Sequence, residues 1–187
     1  VYEDEHAAVT DILASTQRLT EATQIYQYKN ASPEHPLTMT LRIVNPNFED
    51  GTTGWENDGM LTQTNTSFPG KSGTTYLERW VNIGSKVPDV GIRQTLEGIP
   101  DGKYRLRAAV GNIQQNGANS TVNAGEKQTG VTLYAGIYDM PVDTMKAHKD
   151  LYFTVVDGQV TIGFKAENAT GNWICLLYTS PSPRDMR

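Results

Sequence analysis

From about residue 40 to residue 174 the chain alternates apolar and polar side chains in short runs separated by turn residues. Lys103–Gly111 places Tyr104, Leu106, Ala108 and Val110 on one side, and Val90–Leu96 alternates Val90, Ile92, Gln94 and Leu96. Val131–Tyr138 groups Val131, Leu133, Ala135 and Ile137, while Leu151–Val156, Asp157-Gly158 and Gln159–Lys165 read as a hairpin. Leu41–Val44 reads as a first strand, Met60–Thr66 and Thr74–Val81 as the next, and Asn172–Ile174 as the start of a last one. Upstream the period changes. Val9, Ile12, Leu13, Leu19, Ala22, Ile25 and Tyr26 fall at helical spacing, with Glu3, Asp4 and Glu5 at the end that favours negative charge. The pivot is Asn45–Trp55, where Pro46, Gly51 and Gly54 turn the chain and Phe48 and Trp55 are placed to plug a core. The expected fold is all-β, a two-sheet antiparallel β-sandwich of jelly-roll type preceded by one N-terminal α-helix. Its parts are a helix over 1–29 that ends an upstream helical segment, a proline-bearing linker over 30–39, and the sandwich over 40–174.

Composition narrows the functions. The 187 residues are 37% hydrophobic, enough for one domain plus an appendage. A formal charge of −5 without a basic cluster argues against a nucleic-acid partner. The absence of any run of about 18 apolar residues argues against membrane insertion. The opening Val1-Tyr2-Glu3-Asp4-Glu5 has neither an initiator Met nor a signal-peptide pattern, so the chain is expected to be a piece of a longer protein with neighbouring linked domains. Cys175–Asp185 matches one reading frame of a transposon-type sequencing adapter. Residues 175–187 are therefore expected to be a non-native tail that cuts the last strand short, which leaves no cysteine for a disulfide.

Each inward set of a sandwich strand implies an outward set. Arg105, Arg107, Ala109 and Gly111 oppose the first; Thr132, Tyr134, Gly136 and Tyr138 the second; Thr161, Gly163, Lys165 and Glu167 oppose Val160, Ile162 and Phe164. Small residues in mid-strand allow close approach. If these strands are neighbours, Ala109, Gly136 and Gly163 floor a trough with larger residues as its walls. Tyr76, Glu78 and Trp80 supply another wall, and Gln114-Gln115-Asn116 set amides at its mouth. Flat aromatics cover the C–H face of a sugar while amides, carboxylates and guanidinium groups pair with its hydroxyls. The competing reading is an ordinary solvated sheet face. Trp55 is expected in the core, whereas Trp80 and Trp173 suit either core or platform. His6, His35 and His148 lie in unrelated contexts, and no triad, phosphate loop or zinc spacing is present, so no enzyme is expected.

Residues 45–55 (Asn-Pro-Asn-Phe-Glu-x-Gly-x-x-x-Trp), 76–81, 94–106 and 160–173 (Val-Thr-Ile-Gly-Phe-Lys-Ala-Glu-Asn-Ala-Thr-Gly-Asn-Trp) resemble galactose-binding-like jelly-roll domains, similar to carbohydrate-binding modules of secreted or surface bacterial glycan-degrading proteins. The resemblance implies a non-catalytic module binding a polysaccharide or glycan on a concave sheet face or end loops, outside the cell or in the periplasm. Tyr76, Glu78, Trp80, Arg107, Gln114, Gln115, Asn116, Tyr134, Lys165 and Trp173 are its candidate contacts. It implies no cofactor except a candidate structural Ca²⁺ with Glu49 as one ligand, the second position falling near Leu177. A structural spacer without a glycan ligand is the alternative.

Overall fold

A computed structural model describes residues 2–32, 34–117 and 127–178. The chain divides into two compact units, Val1–Met39 and Thr40–Arg187. In the first, helix α1 runs Tyr2–Asn30, and Val9, Ile12, Leu13, Leu19 and Tyr26 stand exposed. The side chains of Glu3, Asp4, Glu5 and Ile25 lie outside the described set, as do residues 179–187 of the tail. No helix among the described residues is long and apolar enough to cross a membrane.

The second unit is a sandwich of two antiparallel five-stranded sheets. Its strands are β1 (Glu56–Asp58), β2 (Leu61–Gln63), β3 (Tyr76–Trp80), β4 (Val90–Glu97), β5 (Gly102–Ile113), β6 (Val131–Ala135), β7 (Tyr138–Pro141), β8 (Lys146–Val155), β9 (Gln159–Ala166) and β10 (Trp173–Tyr178). One sheet has the order β1-β4-β9-β6-β7, hereafter sheet A; the other, sheet B, has the order β2-β3-β10-β5-β8. Leu133, Ile162 and Phe164 of sheet A and Leu77, Val110, Ile174 and Leu176 of sheet B are fully buried, as alternating inward sets require. At one end Trp55 stacks on Tyr178 at 5.1 Å and Phe48 tilts against both, so the pivot's aromatics do enter the core.

Four expectations fail, each for a local reason. Leu41–Val44 is not a strand; a 3-10 turn covers Thr40–Arg42, and Leu41 is almost wholly exposed. The Gln94 side chain takes the place of a strand partner there, accepting from Val44 N–H at 2.8 Å and donating to the Val44 carbonyl at 3.1 Å. Val131–Tyr138 breaks into the β6–β7 hairpin, because Gly136 has φ +60° at the first of two turn residues, and this puts Ile137 at the exposed tip instead of in the core. Asp157 and Gly158, both at positive φ, do turn the chain, but only a single bridge, Val156 to Gln159, closes beside them. The two arms then part, β8 to β5 in sheet B and β9 to β4 and β6 in sheet A, so the expected hairpin is a corner between sheets. Finally, Cys175–Tyr178 cannot be left out of the fold. They continue β10 between β3 and β5, and all four are buried. The slot between β3 and β5 is closed on both faces, and the apolar Cys-Leu-Leu-Tyr run suits it.

Candidate functional site

The expected trough does not form. Ala109 belongs to β5 in sheet B, Gly163 to β9 in sheet A, and Gly136 to the β6–β7 turn. Ala109 and Gly163 are also covered by the chain itself, while Gly136 stands exposed at its turn. A Cβ added to Gly163 would lie 2.4 Å from Tyr134 Cζ, one added to Gly70 would lie 2.6 Å from Ala109 Cβ, and one added to Gly111 would lie 2.6 Å from Met145 Sδ. Tyr134 occupies the gap above Gly163, an intramolecular use of a strand glycine. Beside it on sheet A, Arg93 pairs with Glu56 and Lys165 with Glu167 at 3.0 Å. Burial raises the Tyr134 hydroxyl's pKa, with the Arg93 and Lys165 charges opposing. Tyr134 and Lys165 are thus separated by the core from the other candidates.

The outer face of sheet B gathers most of those others. Strand register sets Trp80, Trp173 and Ile113 in one row and Glu78, Cys175 and Gly111 in the next. On the edge strand β2, Leu61 stands opposite Glu78 and Gln63 opposite Tyr76. The segment before β3 folds back over the Tyr76 end of this face: Phe68 tilts against Tyr76 at 5.2 Å and is buried. Tyr76 is itself fully buried and Trp173 2% exposed, so neither is a ligand wall. Trp80, at the opposite end, is 47% exposed.

The Glu78 carboxylate anchors the row. Its Oε2 accepts from Trp173 Nε1 at 2.7 Å and lies 3.1 Å from the Tyr76 hydroxyl, while Oε1 accepts from Gln63 Nε2 at 3.1 Å. The Tyr76 hydroxyl also lies 2.9 Å from Asn65 Oδ1; with one proton it donates to one of the two acceptors. Burial first, and the Glu78 charge second, push that hydroxyl's pKa far up, so it remains protonated. Among the described residues no cation pairs with Glu78, and its partners here are neutral donors. Trp80 Nε1 donates to Gln115 Oε1 at 2.7 Å.

The other amides are used differently. Gln114 staples the loop after β3, donating to the Ser85 carbonyl at 2.9 Å and accepting from Gly84 N–H at 3.1 Å; Asn116 is exposed. Arg107 makes a bidentate pair with Asp150 at 2.7 and 2.8 Å further along β5. What a linear reading does not show is the support of this face: Asn172 reaching Trp80 through Gln115, Gln63 on Glu78 and Met145 over Gly111, brought together only by the fold. Glu49 is engaged locally, accepting from Thr74 N–H at 2.6 Å and Thr75 N–H at 3.1 Å, which lowers its pKa. Among the described residues no three His, Cys, Asp or Glu side chains converge as a metal-holding group.

No family model and no curated protein matches this chain by sequence. Solved structures match by shape. A family 61 carbohydrate-binding module, TmCBM61, solved with β-1,4-galactotriose, superposes with TM-score 0.53 at 17% identity over 73% of this chain and 94% of that one. A family 16 carbohydrate-binding module gives 0.48 at 16% identity (74% and 96%), and a cyclase from Fischerella sp. TAU gives 0.46 at 14% (72% and 92%). The chain therefore shares the two-sheet jelly-roll fold of TmCBM61. At this identity the likeness concerns the fold alone.

Proposed function

We propose that this chain is a non-catalytic carbohydrate-binding module of a larger secreted or surface glycan-processing protein, and that its glycan contact is the Trp80 end of sheet B. One observation carries the reading: a half-exposed indole, fixed through its N–H by Gln115, stands one register step from a carboxylate held by neutral donors. A ring face for sugar C–H groups beside acceptors for hydroxyls is what recognition of a polyol requires. The TmCBM61 likeness supports the fold half of the argument, and extracellular placement follows only from the resemblance drawn above. Affinity electrophoresis through galactan, xylan, mixed-linkage β-glucan and pectin tests it. Retardation by at least one polysaccharide, with Kd around 0.1–1 mM or about −4 to −5.5 kcal/mol, is expected, and Trp80→Ala should abolish it.

The spacer reading keeps one observation in its favour: Ala109, Gly136 and Gly163 do not come together, and the chain itself covers Ala109 and Gly163. Silence of the wild-type domain on every polysaccharide would select it. Calcium enters neither reading, since Glu49 already caps the backbone of residues 74 and 75. Melting in EDTA and in 1 mM Ca²⁺ should agree within about 1 °C, well below the shift a tightly bound ion gives; a clear rise with Ca²⁺ would restore the ion.

A further inference from the structure

We propose that Asn172 is a positioning residue that holds Trp80 in its outward pose through the side chain of Gln115, an inference that rests on Trp80 being the glycan contact. Asn172 has no exposed surface. It stands just before β10, where its backbone N–H donates to the Ile113 carbonyl and its carbonyl accepts from Val81 N–H, each at 2.9 Å. Its side chain ties the same two strand ends again. Nδ2 donates to the Val81 carbonyl at 2.9 Å and to Gln115 Oε1 at 3.0 Å, while Oδ1 accepts from Gln115 N–H at 2.7 Å.

The direction of this relay is set by backbone groups that cannot be reversed. A backbone N–H on one side and a backbone carbonyl on the other decide which end of the Asn172 amide is oxygen and which is nitrogen. That nitrogen then faces Gln115, so the Gln115 atom between Asn172 and Trp80 must be the oxygen, with one donor for each lone pair. Trp80 N–H is the second donor. A buried asparagine thus fixes the orientation of a half-exposed indole two hydrogen bonds away. A strand-end side chain whose only task was packing would have no such directional requirement.

Two changes of equal size and equal charge separate the alternatives. Asn172→Asp puts an acceptor against Gln115 Oε1; the Gln115 amide must turn, and its NH₂ then meets Trp80 N–H donor to donor, releasing the indole. Gln115→Glu replaces the shared oxygen with a carboxylate oxygen that still accepts from both donors, so the relay survives. The experiment records indole ¹H–¹⁵N resonances and their hydrogen exchange in the whole chain, with Trp80 assigned by its loss in Trp80→Phe. In Asn172→Asp the Trp80 N–H should shift and exchange more than tenfold faster, while the Trp173 N–H, held by Glu78, stays in place. In Gln115→Glu the Trp80 signal should stay protected. On whichever of the four polysaccharides retards the wild type, Asn172→Asp should weaken binding roughly fivefold, within the range of coupled neighbouring groups, and Gln115→Glu should not.

If Asn172→Asp does not fold, Gln115→Ala, at a half-exposed position, carries the same expectation of a released Trp80 N–H. Equal Trp80 protection in Asn172→Asp (or Gln115→Ala) and wild type overturns the proposal, as does a Gln115→Glu that behaves like Asn172→Asp. A wild type silent on all polysaccharides with the resonances behaving as expected sinks the glycan reading and leaves the relay standing.

Discussion

The two sheets are built around central strands of different kinds. β9 in sheet A has a partly wet outer side: Thr161 and Lys165 stand half-exposed between buried Val160, Ile162 and Phe164, Gly163 lies under Tyr134, and Thr161 meets Thr95 across the face at 2.9 Å. β10 in sheet B is buried along its whole length. Ile174, Leu176 and Tyr178 face the core, while Trp173, Cys175 and Leu177 lie beneath side chains and a returning segment of the chain. A sheet face exposed to water needs only polar side chains. A dry outer face must be built from above and below, and the built face is where an aromatic is held out by a defined hydrogen-bond chain.

The largest effect tests that contrast directly. Leu177→Asp places a charge on the outer side of β10, where the wild-type residue is 1% exposed, and should cost more than about 3 kcal/mol because no partner is at hand. Lys165→Ala on the outer side of β9 should stay within about 0.5 kcal/mol, as an exposed pair with Glu167 contributes little. Urea midpoints at constant slope measure both. Similar losses would mean that sheet B's outer side is no drier than sheet A's.

The same contrast explains what the sequence disclosed. β4, β9 and the first half of β5 alternate in sequence, so their positions and inward sets were legible, whereas β5 is buried at every position from Ala108 to Ile113. β10 was not, because a strand buried on both sides has no alternation and its apolar run also matches an adapter reading frame. Of the candidate site, Trp80, Glu78 and Gln115 were legible as residue types. Their grouping was not, since it depends on β3 and β5 both flanking β10. Tyr134 and Lys165 carried the same residue chemistry to the opposite sheet, where Tyr134 fills its own glycine gap. Aromatic type and mid-strand glycine are local signals; whether the ring serves a ligand or the glycine is decided by register.

On binding, the two aromatics should part company. Trp80→Ala should lower affinity for a retarding polysaccharide at least tenfold, about 1.4 kcal/mol, with a melting temperature within a few degrees of wild type because the ring is half-exposed. Tyr134→Ala should leave affinity within twofold while opening space above Gly163. Titration calorimetry on both would reverse the assignment of faces if Tyr134 proved the sensitive one.

A smaller effect concerns the fit of β10 itself. The Tyr178 hydroxyl is buried and has no hydrogen-bond partner among the described residues, and burial pushes its pKa up. An unpaired buried hydroxyl is a net cost, so Tyr178→Phe, which keeps the stack on Trp55, should gain up to about 1 kcal/mol, or roughly 2–4 °C in Tm. A loss of stability on this change would mean that the hydroxyl does find a partner.

The smallest expected effect lies at acid pH and again separates the faces. On sheet B, the hydrogen bonds from Arg107 hold the Asp150 carboxyl below its usual pKa, with the Arg107 charge, Arg105 and His148 adding to them and burial opposing. A carboxyl depressed in the folded state contributes stability that is complete above its unfolded pKa of about 3.9 and is lost as pH falls through the lower folded value. Asp143, lowered chiefly by Lys127, and Glu49, lowered by backbone donors, lose their contributions over the same range, so the wild-type curve alone cannot assign the change. The difference between wild type and Asp150→Asn can. At pH 7 the variant should be the less stable, because the charge-assisted bidentate pair between Arg107 and residue 150 is lost, and the gap should close between about pH 4.5 and pH 2.5 as wild-type Asp150 takes up its proton. Urea midpoints for both proteins across that interval give the measurement; curves that run parallel through it would mean that the Arg107–Asp150 pair contributes no pH-dependent stability.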